Sequence, residues 1–187
     1  VSLAPKASIL DVPCGTGRHA SFFAQKKFSV TGLDINEALL SRAQARNNYQ
    51  NLNFVQADMS SLEAYANQYD LTVNLFSSVG YFANDIENEK LFFQLASTLK
   101  KGGVLVISCM NRRYFERIHR PIRSRKFGEY EVDQITQYDF HTGYHQGHLL
   151  YKNEMGKEVS KREFRMRYYS LEEITKNLNH LGLEVFA

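Results

Sequence analysis

Short apolar runs alternate with longer amphipathic stretches along the first 110 residues of the chain. Each run is closed by turn-forming or polar residues, and such compact apolar runs are typical of strands buried on both faces of a parallel sheet. The pattern therefore predicts five strands, at residues 7–13, 28–35, 53–58, 71–76 and 103–110.

The stretches between these runs have the spacing of amphipathic helices. One helix is predicted from about residue 18 to residue 27, and Asn36 can cap a second helix that begins at Glu37. The apolar residues of a third helix, at residues 85–100, recur at near-helical spacing: Ile86, Leu91, Leu95 and Leu99. Its lysines are expected at the negative end of the helix dipole. Strands and helices in alternation predict a doubly wound α/β fold, a mainly parallel, Rossmann-like sheet with helices on both faces.

The pattern changes over residues 112–169, where glycines and polar aromatic segments replace the alternation of strands and helices. The segment FRMRY alternates apolar and basic residues with period two, as an antiparallel strand does. We therefore expect an inserted antiparallel β-ribbon with strands at residues 135–141, 148–154 and 161–169.

The segment after this insertion returns to a helical pattern. Ser170 and Glu173 have the spacing of a capping box, and Gly182 marks the expected end of the helix. Residues 183–187 are expected to begin a sixth strand.

Length and composition favour a single domain over residues 1–187. The chain is 43% hydrophobic, enough for one core, and no Pro-rich or Ser-rich linker divides it. The 23 Lys and Arg residues exceed the 20 Asp and Glu residues by only +3, which is too little to indicate a polyanionic partner.

Cysteine usage and hydropathy bear on the compartment. Cys14 lies in a glycine-rich loop and Cys109 in an apolar run, which argues against a disulfide framework and favours a reducing environment. No apolar run approaches the roughly 20 residues that cross a bilayer, and the first ten residues lack the pattern of a signal peptide. We expect a soluble cytoplasmic protein without a membrane partner.

The loop after the first predicted strand is the main candidate for ligand binding. In open α/β sheets, ligands bind beyond the carboxyl ends of the strands, where LDVPCGTGRHA places this loop. Gly15, Gly17 and Ala20 fit the dinucleotide spacing G-x-G-x-x-A, and Asp34 follows the second strand, where it can bind ribose hydroxyls. The loop alone therefore leaves an NAD-dependent oxidoreductase open.

Further residues distinguish the possible ligands. Asp11 lies just before the loop, where a carboxylate would repel a pyrophosphate but attract an ammonium or a sulfonium. Asp58 can accept a hydrogen bond from an adenine amine, and Met59 offers the purine an apolar edge. Arg18 can pair with a carboxylate. S-adenosylmethionine combines adenosine, a positive centre, an ammonium and a carboxylate.

The motifs LDVPCGTGRHA, TGLDIN, QAD, YDLTVNLFSSVGYF and LKKGGVLVI resemble, in order, those of class I S-adenosylmethionine-dependent methyltransferases. The loop and the ribbon are similar to the small-molecule enzymes of the methyltransferase-domain type, including sugar amine N-methyltransferases. The resemblance implies that Asp34 holds the ribose, that Gly15 and Gly17 approach the methionine part, and that Asp58 and Met59 contact adenine. It also implies that residues 74–77 border the transferable methyl group, and that the ribbon covers the pocket and selects a small-molecule methyl acceptor.

The expected cofactor site comprises Asp11, Cys14, Gly15, Gly17, Arg18, Asp34, Ile35, Asp58, Met59 and Asn74. Cys14 is interpreted as a packing residue rather than a nucleophile. Tyr81 and Phe82 are the candidates for contact with the substrate, with ordinary packing as the alternative for both. The general base stays open among Tyr81, His19 and a residue of the ribbon, so no catalytic residue is assigned. No metal is expected.

Two features depart from this pattern. Pro13 stands where the family usually has glycine, and it has no N–H group to donate to a ligand. A basic cluster at residues 112–126 contains Arg112, Arg113, Arg117, Arg120, Arg123, Arg125 and Lys126. This cluster is typical of a solvated face, but it also leaves open an RNA-modifying or RNA-binding protein.

We also expect the two ends of the chain to be shortened. The first residue is Val rather than Met, and the resemblance implies a further antiparallel strand beyond residue 187. We expect the chain to be shortened at both ends, with an exposed sheet edge that favours a homodimer.

Overall fold

The computed structural model describes residues 3–186. Its strands are β1 Ser8–Asp11, β2 Ser29–Asp34, β3 Leu52–Gln56, β4 Tyr69–Asn74, β5 Leu99–Ile107, β6 Ile122–Phe127, β7 Tyr130–Tyr138, β8 Tyr144–Lys152 and β9 Glu158–Arg167. Its α-helices are α1 Arg18–Gln25, α2 Glu37–Arg46, α3 Asp85–Ser97, α4 Arg112–Ile118 and α5 Leu171–His180. A short 3₁₀ turn at Glu63–Tyr65 precedes β4.

The first five strands form a parallel sheet in the order β3-β2-β1-β4-β5. The strand order reverses between β1 and β4, so the loops after these two strands diverge and leave a crevice at their carboxyl ends. The expected doubly wound α/β fold is thereby confirmed, with all five predicted strands present.

Helices cover both faces of this sheet. Ala20 and Ala24 of α1 pack against Ile9, Val30 and Val73 on one face. On the other face, a larger cluster joins strand residues to apolar residues of α3 and α5: Leu10, Val12, Leu33, Leu91, Phe92, Leu95 and Leu178. Because every central strand is buried on both sides, its continuous apolar sequence is explained.

The segment from α3 to β5 differs from its prediction. Ile86 is 81% exposed and takes no part in the core. The helix ends at Ser97, and Lys100 belongs to β5, where its ammonium pairs with Asp70 at 2.9 Å. The glycines at 102 and 103 lie inside β5 rather than before it, because the pairing with β4 shifts register there. The Gly pair therefore marks an irregularity within a strand, a role that the sequence does not distinguish from a break.

The insertion is a four-stranded antiparallel sheet in the order β6-β7-β8-β9. The three predicted ribbon strands correspond to β7, β8 and β9, but each ends two to three residues earlier than expected. The prediction missed β6 and α4 altogether. Asn111 caps α4 by accepting from the Tyr114 N–H at 3.1 Å, and Phe115 of α4 is buried against the rings of Tyr138 and Tyr168.

Charged contacts join the inserted segment to the helices α3 and α5, which cover the parallel sheet. The guanidinium of Arg167, on β9, lies 2.8 Å from Asp85 at the start of α3 and 2.8 Å from Glu173 in α5. Beside them, Arg112 of α4 lies 3.6 Å from Glu173. The side chains of Arg112, Arg167 and Glu173 are only partly exposed, so the ion pairs among them are less screened by solvent than pairs on an open surface, whereas Asp85 is exposed.

The last part of the chain confirms one expectation and corrects another. Ser170 and Glu173 form both hydrogen bonds of a capping box at the start of α5. Residues 183–186 form no strand, and Leu183 and Val185 pack against the larger core cluster instead. Ala187, the end of the predicted sixth strand, lies outside the described residues. No helix within residues 3–186 combines the length and the apolar character needed to cross a bilayer.

Gly17 is required by the packing of the fold. Its φ is +74°, and a Cβ at this position would lie 2.5 Å from the Cζ of Phe54 and 3.1 Å from the Cβ of Ala43. The start of α1 therefore approaches β3 and α2 too closely for any side chain at position 17.

We expect Gly17→Ala to destabilise the protein by about 2 to 4 kcal/mol, because left-handed strain adds to overpacking against Phe54. Gly102→Ala is the matched control, since its φ is +78° and nothing lies within 4 Å of the added Cβ. The control should lose only about 1 kcal/mol, the strain alone. Equal losses in urea unfolding would contradict the packing role of Gly17.

Candidate active site

Asp11 lies at the carboxyl end of β1 and is only 1% exposed. One carboxylate oxygen accepts from the Ala20 N–H of α1 at 3.0 Å. Burial, together with the nearby charge of Asp34, raises the pKa of Asp11 to about 7. A positive charge placed beside this buried carboxylate would stabilise its ionised form.

Asp34, at the end of β2, fixes the glycine loop from the other side. One of its carboxylate oxygens accepts from the Gly15 N–H at 2.8 Å, and the other accepts from the Asn36 N–H at 2.9 Å. Asn36 caps α2, as predicted, by accepting from the Leu39 N–H. The carboxylate therefore lies at the loop, where its remaining lone pairs can accept from hydroxyl groups of a ligand.

Gly15 provides the space for such a ligand. Its φ is +55°, and a Cβ added to it would meet nothing within 4 Å. The two glycines that the motif pairs thus have different roles, since Gly17 is closed in by Phe54. Open space over Gly15 lets a ligand lie against the loop backbone.

The adenine candidates follow β3. One oxygen of the Asp58 carboxylate accepts from the Ser60 N–H at 2.8 Å, which fixes the side chain at the start of the loop. Met59 is partly buried against the larger core cluster. Ile35 is exposed, and its carbonyl oxygen accepts from the side chain of Gln56. Ile35 thus follows the end of β2, and Asp58 and Met59 follow the end of β3, at the same edge of the sheet as Asp34.

Cys14 and Asn74 are buried between the loop and β4. Burial, with the charges of Asp11 and Asp34, raises the pKa of the Cys14 thiol to about 12, which agrees with a packing role rather than a nucleophilic one. The Asn74 side chain donates to the Val12 carbonyl at 2.8 Å, and its Oδ1 atom has no hydrogen-bond partner among the described residues. A buried acceptor without a partner is uncommon and often marks a functional site.

Arg18 and His19 lie where the loop enters α1. The Cζ atom of Arg18 is 4.9 Å from the centroid of the Phe76 ring, and the His19 ring is 5.4 Å from the same centroid. Partial burial, and the charge of Arg18, lower the pKa of His19. The structure thus joins the start of α1 to the loop after β4.

The two substrate candidates have different surroundings. Tyr81 is 68% exposed. The backbone of Phe82 is held on both sides by the amide of the buried Asn88, and its ring packs against the larger core cluster. Tyr81 is therefore open to solvent, whereas the Phe82 ring contributes to packing, and both stay candidates for contact with the substrate.

The inserted sheet contacts the loop that carries Tyr81. The Arg167 N–H of β9 donates to the Gly80 carbonyl at 2.7 Å, and a Cβ on Gly80 would lie 2.0 Å from the Arg167 carbonyl oxygen. The side chain of Arg165 donates to the Ala83 carbonyl. The insertion is therefore fixed to one wall of the crevice.

The basic cluster is partly neutralised within the fold. Arg112 pairs with Glu116 at 3.0 Å, and Arg113 pairs with Glu172 at 2.7 Å. Arg123 donates to the Ile118 carbonyl. These contacts join part of the cluster to the rest of the fold. Among the described residues, no three His, Cys, Asp or Glu side chains gather as metal ligands would.

Sequence reasoning did not anticipate the roles of Phe54 and Phe76. Gly32, inside β2, was a usable signal for Phe54, because a glycine within a strand often marks a close approach, and a Cβ there would lie 2.7 Å from the Phe54 ring. Phe76 gave no such signal, since its position depends on a left-handed backbone that phenylalanine rarely adopts.

Comparison with known proteins supports the interpretation of the crevice. The chain matches the methyltransferase-domain family over residues 9–103, about half of its length. It is 35% identical to a putative methyltransferase, YqeM, of Bacillus subtilis over 106 residues, which are 56% of this chain and 43% of that protein. It is also 35% identical to the dTDP-3-amino-3,4,6-trideoxy-alpha-D-glucopyranose N,N-dimethyltransferase of Streptomyces venezuelae over 107 residues, 57% of this chain and 44% of that protein.

Solved structures share the fold over nearly the whole chain. The CcbJ methyltransferase of Streptomyces caelestis superposes with a TM-score of 0.85 at 20% identity, covering 99% of this chain and 76% of that one. An S-adenosylmethionine-dependent methyltransferase of Clostridium acetobutylicum gives 0.80 at 21% identity, covering 96% and 74%.

The chain spans less than half the length of the curated relatives described above. The family match nevertheless favours S-adenosylmethionine over a nicotinamide dinucleotide as the ligand of the glycine loop. The chain belongs to the methyltransferase-domain family and has the fold of class I S-adenosylmethionine-dependent methyltransferases.

Proposed function

We propose that this protein transfers a methyl group from S-adenosylmethionine to a small-molecule acceptor by direct in-line displacement. Two observations together carry the proposal. Asp11 is buried with a raised pKa, and the backbone at Gly15 is open, which suits a ligand bearing positive charge. When bound, S-adenosylmethionine supplies an electrophilic methyl group. The chain must then orient the acceptor and exclude water.

Each part of the crevice has a proposed role. Asp34 accepts from the ribose hydroxyls, Asp58 accepts from the adenine amine, and Asp11 balances the positive charge of the methionine part. Ile35 and Met59 contact the purine, while Cys14 and Gly17 shape the loop. Arg18 is proposed for the cofactor's carboxylate, and Asn74 for the region of the transferable methyl group.

The names of several relatives favour an amine as the methyl acceptor. Several of them are named N-methyltransferases, among them the N,N-dimethyltransferase of Streptomyces fradiae and a glycine/sarcosine N-methyltransferase of Parasynechococcus marenigrum. Tyr81 is exposed beside the contact with β9, where it can meet an acceptor that enters beneath the inserted sheet. The cytoplasmic location and the homodimer stay predictions from the sequence.

Asp34→Ala should weaken the binding of S-adenosylhomocysteine by about 1 to 3 kcal/mol, because the ribose hydroxyls lose a charged acceptor. Asp34→Asn is the matched variant, since its oxygen can still accept from the Gly15 N–H and keep the loop in place. It should lose less affinity than the alanine variant. Unchanged affinity of Asp34→Ala in isothermal titration calorimetry would remove Asp34 from the site.

The raised pKa of Asp11 predicts that cofactor affinity depends on pH. Below about pH 7 the free protein holds a proton on Asp11, and a cationic ligand must displace it, so affinity rises with pH and levels off above 7. S-adenosylmethionine should bind about ten-fold more weakly at pH 6 than at pH 8 if binding releases the proton fully.

Asp11→Asn is the control for this effect, because its oxygen can still accept from the Ala20 N–H but it does not titrate. Its affinity should change little over the same range of pH. A pH profile identical to that of the unmodified protein would show that Asp11 does not face the cofactor's charge.

A further inference from the structure

The two faces of the inserted antiparallel sheet carry different charges. Successive side chains of a strand point to opposite faces, and residues paired across strands share a face. On one face, the register aligns Arg123 with Arg162 across all four strands, and it aligns Arg125 with Tyr151 in the next row. The other members of these two rows are uncharged: Gln134, Leu149, Val132 and Ser160. We call the surface formed by Arg123, Arg125, Tyr151 and Arg162 the arginine face.

The opposite face of the sheet neutralises its own charges. Lys152 pairs with Asp133 at 2.5 Å, and Lys161 pairs with Glu163 at 2.9 Å. By contrast, the three arginines of the arginine face form no ion pair within residues 3–186. The arginine face therefore presents positive charge that no carboxylate of the described chain balances.

Aromatic rings lie beside these arginines. The Cζ atom of Arg162 is 5.8 Å from the centroid of the Tyr151 ring, which is only partly buried. One row further out, Phe127 and Tyr130 pair on the same face and are 61% and 40% exposed. Helix α4 packs at the other end of this face, against His145. The rings at the outer end are therefore accessible to a partner.

The layout of the arginine face fits a chain of negative charges rather than a single anion. Arg123 and Arg162 lie on the two outer strands, so their Cα atoms are about 14 Å apart, given about 4.8 Å between neighbouring strands. One small anion cannot bridge this distance. The flat ring of Tyr151 lies between these strands, and unpaired bases stack on such rings, whereas the bases of a duplex are already stacked on one another.

We propose that the arginine face binds single-stranded RNA, with its guanidinium groups on the phosphates and with the rings of Tyr151 and Tyr130 stacked on bases. Gln134 lies in the same row as Arg123 and Arg162, and its amide can donate to and accept from a ribose 2′-hydroxyl, which DNA lacks. The inference goes beyond the proposed function and does not depend on it, because the arginine face contains no residue of the crevice.

The test measures the binding of a labelled oligouridine of about ten nucleotides by fluorescence anisotropy at several salt concentrations. We expect a dissociation constant on the order of 10 μM near physiological salt. Arg125→Gln combined with Arg162→Gln should weaken binding about ten-fold, because two phosphates lose their partners. The slope of log affinity against log salt should fall by about 1.4, since each phosphate contact to a single strand contributes about 0.7.

Lys126→Gln combined with Lys161→Gln is the matched control, because it removes the same charge from neighbouring positions on the opposite face. It should leave the affinity and the salt slope nearly unchanged. Tyr151→Leu should weaken binding about five-fold at an unchanged salt slope, because a stacking surface is lost. Tyr151→Phe keeps the ring and should bind as the unmodified protein does.

Equal losses in the two double variants would show attraction by net charge alone and would overturn the assignment of this face. Full affinity in Tyr151→Leu would indicate a polyanion without stacked bases, such as an acidic protein or an anionic membrane, and would overturn RNA as the partner. DNA of the matching sequence should bind more weakly, and equal or tighter binding would likewise overturn it. No saturable binding by the unmodified protein would refute the proposal as a whole. All these outcomes leave the proposed function intact, because binding of S-adenosylhomocysteine tests it separately.

Discussion

Two carboxylates, Asp11 and Asp34, meet at one loop because parallel strands place their carboxyl ends at the same edge of the sheet. Burial of like charges is unfavourable, and here it raises the pKa of Asp11 to about 7. The fold retains this arrangement because backbone N–H groups of Ala20, Gly15 and Asn36 satisfy the carboxylate oxygens. What these donors do not supply is a full positive charge, and that is what a sulfonium or an ammonium brings.

The two glycines of the loop between the carboxylates have different roles. Gly17 lets α1 pack closely against Phe54, so it supports the fold that holds the crevice open. Gly15 leaves free space at the point where Asp34 anchors the backbone. The same motif spacing serves packing at one position and ligand approach at the other, and a sequence match alone does not separate the two.

The sequence predicted the elements whose signals are local. Buried strands appear as apolar runs, Asn36 and Ser170 as helix caps, and FRMRY as a two-sided strand, because each signal is decided by neighbouring residues. The helix α4 and strand β6 were missed because their sequence is dominated by arginines. The acidic partners that neutralise Arg112 and Arg113, Glu173 and Glu172, lie about 60 residues away in the chain.

In the candidate site, too, the residues with local sequence signals could be predicted, and those placed by tertiary packing could not. Asp11, Asp34 and Asp58 could be proposed from their places at or after the ends of strands, whereas the contact of Phe82 with Asn88 and the core depends on tertiary packing that no local pattern shows. The left-handed backbone of Phe76 and Ser77 is held by hydrogen bonds to the segment directly after β5, and no local sequence pattern predicts it.

We expect the glycine loop to bind an adenosyl ligand rather than a dinucleotide. The most direct measurement is a thermal-shift comparison of S-adenosylhomocysteine with NADH on the unmodified protein. We expect a concentration-dependent rise in melting temperature with S-adenosylhomocysteine and none with NADH. Stabilisation by NADH alone would contradict it.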